Sequence, residues 1–482
     1  MFRNSDHILI KKSIMTSQMT NHFVQPDEIP QIVDDLRSYF KTGTTKPLSW
    51  RMKQLNGLVK ALEEHEDEWI AAMGKDMGSH KYEAGLLVKN VTSEIKHTIN
   101  ELESWLYPKN ASNPLALYPG TTELVFEPYG VVCDFIPFNY PVFLGFSTLL
   151  PILASGNCCL FKPSSNTPAC ALLYHQIFPK YLDQLAVRVV CGPTSICDEI
   201  LKCRFDFIFY TGSPAIGKLV MKAAAEHLTP VLLELGGKSP VYIDKNVSLK
   251  KCCRRLAFGK FFNGGQTCVC PDYVMVHQDI LPQFRQEMVN VIHEFFGDHT
   301  RYNDNITHII SPRHFDRLQK LIETSGGINV IEGYRSRDRL YIGPTLVESP
   351  NLDSQMMTEE IFGPIIPFMK VSGPDEAISF INEREKPLAL YVLSNDESLF
   401  QRFVNETSSG AIMMNDTTFH VSSPNAPFGG VGNSGMGQYH GKAGIYSLSH
   451  LKPVLRHGTL IDVSLRYPPY NDTKYNIIKR IA

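Results

Sequence analysis

The first part of the chain carries apolar residues at helical spacing. They recur every three or four positions over residues 55–62 and 91–106, which predicts two amphipathic helices on the surface of a larger core. The longest apolar stretch, residues 142–153, contains Gly145 and Pro151. It is shorter than the roughly 20 apolar residues needed to cross a bilayer, so it predicts a core helix.

From about residue 131 the pattern changes to short apolar runs separated by segments of helical length. The paired glycines of the sequence ELGGKSP, which follows the last run, favour a sharp exit and a domain boundary there. Strands that alternate with helices predict a parallel, doubly wound sheet and an α/β fold, and the alternation continues to about residue 415 as a second α/β domain. The predicted strands cover residues 131–136, 158–161, 187–191, 207–209 and 231–233.

Length and charge narrow the class of protein. A chain of 482 residues exceeds what one hydrophobic core usually supports, so two or three domains are expected. The 47 basic and 49 acidic residues nearly balance without a block of one sign, which argues against nucleic acid as a partner. Eleven cysteines without repeated spacing, and no evident signal segment, indicate a reducing compartment and no metal site.

The sequence FNGGQTCVCPD, residues 262–272, places Cys268 just beyond a glycine-rich turn. Backbone N–H groups of such a turn can face the sulfur, which gives an exposed and activated thiol nucleophile. The alternative is a buried structural cysteine.

Two polar residues at strand ends add to this chemistry. Glu234 ends an apolar run, where a semi-buried carboxylate can act as a general base; otherwise it is a capping or salt-bridge residue. Asn139 can donate its amide to an oxyanion, or it caps a loop. In the sequence YTGSPAIG, residues 210–217, Gly212 and Gly217 can bring backbone N–H groups to a pyrophosphate, although the three-glycine fingerprint is incomplete.

These motifs occur in order with three others, and together they resemble the aldehyde dehydrogenase superfamily from about residue 30 to residue 455. The three others are GNCCLFKP at 156–163, EEIFGP at 359–364 and PFGGVGNSG at 427–435. The chain looks most like the class 3 branch, which includes the fatty aldehyde dehydrogenases. The positions that match this branch are LTP at 228–230, residues 428–437, YHGK at 439–442 and RYPP at 466–469.

The resemblance implies oxidation of aldehydes, medium- or long-chain aliphatic or aromatic, to carboxylic acids with NAD or NADP. Cys268 would attack the aldehyde carbon, while Asn139 and the backbone N–H of Cys268 would hold the oxyanion. Hydride transfer to the nicotinamide would leave a thioester. Glu234 would deprotonate the water that hydrolyses it, or first the thiol.

The resemblance also implies how the cofactor is held. Lys162 would contact the adenosine ribose, and Ser213 with its neighbours would contact the pyrophosphate. Glu360 would contact the nicotinamide ribose, with Phe362 beside the ring. Without the resemblance, Lys162 would be a surface lysine and Phe362 a core residue. The cofactor set is Lys162, Ser165, Thr211, Gly212, Ser213, Gly217, Leu235, Gly236, Glu360 and Phe362, and the substrate pocket contains Tyr140, Phe258 and Thr267.

The implied architecture is a Rossmann-type nucleotide-binding domain, an α/β catalytic domain and a small bridging or oligomerisation element. Its segments are a polar leader expected to be disordered at 1–24, the NAD(P)-binding domain at 25–235 with a bridging interruption near 106–125, the catalytic domain at 236–419, the bridging segment at 420–460 and a tail at 461–482. Class 3 relatives are commonly homodimers, which implies the same here.

Three positions depart from the family pattern. Ser165 stands where many relatives carry a glutamate that repels a 2′-phosphate, so we expect use of both NAD and NADP. Cys270 stands where a small residue is expected; it either packs facing away from Cys268 or captures oxidised Cys268 as a second thiol. Phe258 replaces a class 3 tryptophan, which leaves the preferred aldehyde open.

The sequence leaves three alternatives to a hydrolytic aldehyde dehydrogenase. A CoA-acylating relative would pass the thioester to a thiol, and retention of Glu234 argues against it. A catalytically silent scaffold is disfavoured because Cys268, Glu234 and Asn139 occur together. A cysteine hydrolase would need a histidine paired with Cys268, and none of the 16 histidines stands out.

The end of the chain bears on membranes. Some relatives finish in a hydrophobic anchor helix, whereas this chain ends soon after its RYPP motif. We therefore expect a cytoplasmic protein without a transmembrane segment. Apolar and basic residues of the tail leave weak peripheral association with a membrane surface open.

Overall fold

The computed structural model describes residues 22–114 and 117–481. Most of the predicted leader therefore lies outside the described residues. The helices, numbered in chain order, are α1 Ile29–Lys41, α2 Leu48–Glu63, α3 Glu66–Met77, α4 Lys81–Leu106, α5 Pro141–Ala154, α6 Pro168–Tyr181, α7 Ile196–Lys202, α8 Pro214–Ala225, α9 Leu249–Phe261, α10 Leu281–Phe296, α11 Pro312–Glu323, α12 Gln355–Thr358, α13 Pro374–Asn382, α14 Glu397–Glu406, α15 Gly441–Ser447 and α16 Asp472–Ile481.

The strands fall into two large sheets and two small ones. In chain order they are β1 Lys109–Ala111, β2 Thr121–Pro128, β3 Val131–Phe135, β4 Cys158–Lys162, β5 Val187–Val189, β6 Phe207–Gly212, β7 Val231–Leu235, β8 Ser239–Ile243, β9 Pro271–His277, β10 Ile328–Ile331, β11 Arg335–Ser336, β12 Tyr341–Ile342, β13 Thr345–Glu348, β14 Ile365–Val371, β15 Ala389–Leu393, β16 Ala411–Met414, β17 Gly435–Met436 and β18 Ser449–Arg456.

The first large sheet confirms the predicted doubly wound arrangement. Its order is β17-β7-β6-β3-β4-β5, and every pair is parallel except the edge pair of β17 with β7. Each predicted strand between residues 131 and 233 is present, although β5 ends at Val189 and β6 continues to Gly212. Because β3 and β4 are buried along their whole length, their sequences read as continuous apolar runs.

The second large sheet lies C-terminal to the predicted boundary. Its order is β10-β13-β14-β9-β8-β15-β16, and the pairs are parallel except that of β10 with β13. The two sheets with their covering helices are the mixed α/β architecture that the sequence predicts. The domain boundaries themselves stay a prediction.

The helical predictions are also confirmed. The apolar run at 55–62 lies in α2, and the run at 91–106 lies in α4. The stretch at 142–153 forms α5, in which every residue except Phe143 is buried. Helices α1 and α3 were not predicted, although the buried positions of α1 do recur at helical spacing.

A small antiparallel sheet joins distant parts of the chain. Strands β1 and β2 fall within or beside the segment near 106–125, and β18 pairs with β2 along its length. Within the predicted bridging segment 420–460, β18 joins this sheet, whereas β17 joins the first large sheet. No helix within residues 22–114 and 117–481 is long and apolar enough to span a membrane.

Helix α5 packs closely on α6 at Gly145. A Cβ atom there would collide with the hydroxyl of Tyr174, which donates a hydrogen bond to the Pro141 carbonyl at 2.8 Å. We expect Gly145→Ala to destabilise the fold by about 1–3 kcal/mol, since overpacking forces backbone or side-chain shifts. Calorimetry should show a lower thermal midpoint.

Gly85→Ala is the matched control for this substitution. Gly85 also lies within a helix, but its added Cβ would meet Ile70 at an ordinary 3.6 Å. The thermal midpoint should stay the same or rise, because alanine favours the helix more than glycine does. An equal fall in both variants would contradict the packing argument.

Candidate active site

One cavity of about 800 Å³ is lined by residues from both halves of the chain. It brings together all the residues predicted for the site except Gly217. A Cβ atom at Gly217 would lie 2.7 Å from the side chain of Leu235, so this glycine allows α8 to approach β7. Gly217 therefore serves close packing of the helix and does not line the cavity.

The loop that carries Cys268 begins with three left-handed residues. After α9 the chain reverses at Asn263, Gly264 and Gly265, with φ angles of 53°, 61° and 72°. A Cβ at Gly264 would lie 2.5 Å from the Thr307 carbonyl, so glycine is required by its surroundings as well as by its φ angle. The turn leaves the Cys268 side chain half-buried in the cavity.

The sulfur of Cys268 is faced by the backbone N–H groups of Cys268 and Val269. These differ from the expected donors, which were those of the glycine turn. Burial raises the pKa of the thiol well above its ordinary value, and the carboxyl groups of Glu234 and Glu360 raise it further. These surroundings favour the thiol over the thiolate, so a base that accepts its proton would assist attack by Cys268.

Glu234 is more deeply buried than the expected semi-buried carboxylate. It lies at the end of β7, where its neighbours in the ladder are Thr211 of β6 and Gly435 of β17. Neither carboxyl oxygen has a hydrogen-bond partner among the described residues, so the salt-bridge and capping alternatives are wrong. Desolvation raises the pKa of Glu234 well above its ordinary value, which makes its carboxylate form a stronger base than an exposed one.

Asn139 lies between β3 and α5 and is buried beside the cavity. It caps no helix, because the cap residue of α5 is Tyr140. Its carbonyl accepts a hydrogen bond from the side-chain amide of Asn263 at 2.8 Å. The neighbouring Tyr140 hydroxyl bonds to the Thr267 hydroxyl, which links this loop to the residue before Cys268.

Glu360 reaches the cavity from the loop after α12. A Cβ at Gly236 would collide with its carboxyl group, and the backbone N–H of Gly237 donates to that group. Burial, aided by Asp272, raises the pKa of Glu360 to about 8. One carboxyl oxygen has no partner within the part of the chain that the structure describes, so it is free to accept a bond from a bound molecule.

The main chain around Glu360 is held by three charged residues that the sequence reasoning missed. Arg317 donates to the carbonyl oxygens of Glu360 and Ile361, at 3.1 and 2.5 Å. Asp272 accepts the Ile361 N–H at 2.9 Å and is paired with Lys238. Lys238 and Asp272 stand inside the motifs ELGGKSP and CPD, so their positions in the sequence could have indicated them.

The other end of the cavity has features of a nucleotide site. Lys162 is buried, and its ammonium donates to the Pro163 carbonyl at 2.8 Å, so the surface-lysine alternative is wrong. Ser213 caps α8 by accepting the Ile216 N–H, and this helix N-terminus lines the cavity. The buried Thr211 hydroxyl lacks a partner in the described chain. A helix N-terminus beside unsatisfied donors and acceptors suits a pyrophosphate and ribose.

Ser165 and Phe362 mark two further points on the cavity wall. The Ser165 hydroxyl is exposed and bonds to that of Thr194 at 3.1 Å. Phe362 has a φ angle of 51°, and its ring lies 5.8 Å from that of Phe138. Phe362 is therefore a half-buried residue of the cavity, and the core alternative for it is wrong.

Aromatic side chains surround the space beyond Cys268. Phe258 stacks on Phe419 at 5.5 Å and lies 5.4 Å from Phe262. Leu86 and Leu87 of α4 also line the cavity, and none of these five side chains carries a charge.

Cys270 does not line the cavity. It is buried, and its S–H group reaches the carbonyl oxygens of Lys260 and Pro271 at 3.7 and 3.5 Å. Burial raises its pKa to about 11. These contacts suit the packing role expected for a small apolar group. Within residues 22–114 and 117–481, no cluster of three or more His, Cys, Asp or Glu side chains is arranged to hold a metal ion.

The fold and the cavity together define a class of protein, an α/β enzyme whose nucleotide-type sheet faces a thiol-bearing loop. Comparison with known proteins narrows this class. Residues 14–454 match the model of the aldehyde dehydrogenase family. The chain therefore belongs to the aldehyde dehydrogenase family, and it is an oxidoreductase that acts on aldehydes with NAD or NADP.

Individual relatives cover nearly the whole chain. The 4,4'-diaponeurosporen-aldehyde dehydrogenase of Staphylococcus aureus is 39% identical, over 94% of this chain and 98% of that protein. The dimeric NADP-preferring aldehyde dehydrogenase of Canis lupus familiaris is 40% identical, over 92% and 98%. The solved structure of Staphylococcus aureus AldH in its substrate-bound state superposes with a TM-score of 0.90 at 38% identity, over 93% and 98%. These matches favour none of the three alternative functions.

The raised pKa of Cys268 has a measurable consequence in the protein without ligands. Because only the thiolate is nucleophilic, alkylation of Cys268 by iodoacetamide should accelerate continuously from pH 7 to about pH 9, without a plateau. Glu234→Gln should speed the reaction at the alkaline end, because it removes a carboxylate that opposes the thiolate. Peptide mass mapping measures the rate.

Cys203 provides the internal control, because it is half-buried and lies outside the cavity. Its rate should not change in Glu234→Gln. A plateau for Cys268 near neutral pH would show instead that the thiol ionises readily without help.

Proposed function

We propose that Cys268, Asn139 and Glu234 carry out the oxidation of an apolar aldehyde to its carboxylic acid. The observation that carries the proposal is the shared cavity, in which a half-buried thiol, a buried amide and a buried unpartnered carboxyl group meet. A nucleophile, an oxyanion donor and a base are the three groups that the chemistry of a thioester requires.

The first half of the reaction forms the thioester. The base Glu234 takes the proton of Cys268, and the sulfur bonds to the aldehyde carbon. The carbonyl electron pair moves to oxygen, where the Asn139 amide and the backbone N–H of Cys268 stabilise the charge. NAD or NADP, when bound, would supply the acceptor for the hydride that leaves this carbon.

The second half hydrolyses the thioester. Glu234 first releases its proton and then takes one from a water molecule, whose oxygen bonds to the acyl carbon. The carbon–sulfur bond breaks, the acid leaves, and the sulfur regains a proton. The raised pKa of Glu234 suits this step, because a carboxylate with a higher pKa is a stronger base.

The residues at the other end of the cavity fit a dinucleotide. Lys162 and Ser165 would contact the adenosine ribose, and Thr211, Gly212 and Ser213 the pyrophosphate. Glu360 and Phe362 would contact the nicotinamide riboside beside Leu235 and Gly236. The partnerless oxygens of Thr211 and Glu360 support this assignment, because each is left with a bond to make.

The lining beyond Cys268 indicates the substrate class. Phe258, Phe262, Phe419, Leu86 and Leu87 offer apolar contact and no charge, so a medium- or long-chain aliphatic or an aromatic aldehyde fits this space better than a charged one. Tyr140 and Thr267 complete its wall next to the sulfur.

We also propose a homodimer in the cytoplasm. The small sheet presents the edges of β1 and β18, which supports strand-mediated pairing of two copies. All eleven cysteines lie in the described part of the chain and are free, as suits a reducing compartment. The division into a nucleotide-binding domain, a catalytic domain and a bridging element is proposed with the boundaries given above.

The central test uses absorbance to measure the reduction of NAD or NADP. Its substrates are a medium-chain and an aromatic aldehyde. Cys268→Ala should abolish the reduction, and Asn139→Ala should lower kcat by about 10²–10³-fold through loss of an oxyanion donor. Cys270→Ala is the matched control, since it removes a thiol two positions away that does not line the cavity, and it should keep activity. Undiminished reduction in Cys268→Ala would contradict the mechanism.

Cofactor preference tests the role of Ser165. Ser165→Glu should raise the KM for NADP by roughly tenfold while that for NAD changes little, because the carboxylate repels a 2′-phosphate. Ser165→Gln, which has a similar size and no charge, separates repulsion from crowding. Equal KM changes for the two cofactors in Ser165→Glu would place this residue away from the 2′ position.

A further inference from the structure

Glu83 links three parts of the chain that are far apart in sequence. It lies in the first turn of α4, outside the cavity. One oxygen of its carboxyl group accepts the backbone N–H of Asn263 at 3.2 Å and the hydroxyl of Thr307 at 3.0 Å. A carboxyl group from the first half of the chain therefore holds the loop that leads to Cys268.

The N–H of Asn263 has a particular need for this acceptor. The residue stands where α9 has ended and the chain has entered the left-handed turn. Asn263 is buried, and a buried N–H group without a partner is costly. Glu83 supplies that partner from a helix 180 positions earlier in the chain.

Asn263 carries the connection on to the oxyanion donor. Its side-chain amide donates to the carbonyl of Asn139 at 2.8 Å and to that of Gln266 at 3.2 Å. Gln266 in turn donates to the carbonyl oxygens of Asn263 and His308 at 3.1 and 2.9 Å. The residue that Glu83 fixes thus holds the main chain of Asn139 on one side and the Cys268 loop on the other.

We propose that Glu83 is a positioning residue for the oxidation of aldehydes, acting through Asn263 on the distance between Asn139 and Cys268. This inference rests on the proposed roles of those two residues. Glu83 does not contact substrate or cofactor in this scheme. It keeps the distance between the oxyanion donor and the nucleophile constant while the substrate carbon between them changes from trigonal to tetrahedral.

The environment of the Glu83 carboxyl group supports a positioning role. Desolvation raises the pKa of its carboxyl group to about 7, and the hydrogen bonds from Thr307 and Asn263 oppose that rise. Glu83 is half-buried, whereas Glu103 on the same helix is exposed.

Steady-state kinetics of the full-length enzyme test the proposal. Glu83→Ala should lower kcat by about ten- to a hundredfold, because small displacements of catalytic groups have effects of that size. Its dissociation constant for NAD or NADP should stay within about twofold of wild type, since the cofactor contacts are untouched. Glu83→Gln should restore most of kcat, because its amide oxygen can accept the same two bonds. Glu103→Ala is the control and should match wild type.

A double-mutant cycle distinguishes positioning from general support. If Glu83 acts through Asn139, Glu83→Ala should change kcat by less than about twofold in an Asn139→Ala background, because coupled residues are non-additive. Thr307→Val removes the other bond to Glu83 and should leave kcat within about twofold of wild type. Additive losses, or an unchanged kcat in Glu83→Ala, would overturn the proposal.

Asn263→Asp tests the second link without relying on the folding of Glu83→Ala. Aspartate tolerates the left-handed backbone but cannot donate to the Asn139 carbonyl, so kcat should fall as in Glu83→Ala. A folded Asn263→Asp with wild-type kcat would overturn the inference. Absence of aldehyde oxidation in the wild-type enzyme would instead contradict the proposed function.

Discussion

Removal of ionisable groups from water is the constraint on which this site depends. Cys268, Glu234 and Glu360 occupy one cavity, and burial raises the pKa of each. An isolated charge in such a place is costly, so the surroundings disfavour having more than one of the three groups charged at once. The fold therefore has to hold them without ion pairs, which would fix their charge states and remove their use in proton transfer.

The structure meets this constraint by fixing main chain around the reactive side chains. Glu234 belongs to a strand that is paired on both sides, so its backbone is held while its carboxyl group stays unpartnered. Around Glu360, Arg317 and Asp272 bond to backbone atoms, and Lys238 pairs with Asp272. At Cys268 the left-handed turn fixes the main chain. Charged side chains thus bind main chain around the reactive groups and leave those groups themselves without ion pairs.

A feature could be predicted from the sequence where it depends on a local pattern of residues, and not where it depends on contacts between distant ones. The sheets and helices were predictable because β3, β4 and α5 are buried almost throughout and read as apolar runs. Cys268, Glu234 and Asn139 were identified because short motifs surround them. The roles of Glu83, Asn263 and Arg317 were not predicted, because each acts through contacts with residues distant in sequence. The deep burial of Glu234 and Lys162 was not predicted either, because it depends on packing between elements.

Burial and chemistry are compatible because the proposed reaction places at most one negative charge on Glu234, the sulfur and the substrate oxygen at any time. When Glu234 takes the thiol proton, the charge passes to the sulfur and the carboxyl group becomes neutral. Attack on the aldehyde carries the charge to an oxygen that Asn139 can stabilise, and departure of hydride leaves an uncharged thioester. Glu234 needs its charge again only at hydrolysis, when its neighbour is neutral. Burial raises the pKa of both groups, and the Glu234 carboxylate raises that of Cys268 further. The two groups are therefore disfavoured as anions at the same time, and this orders the steps.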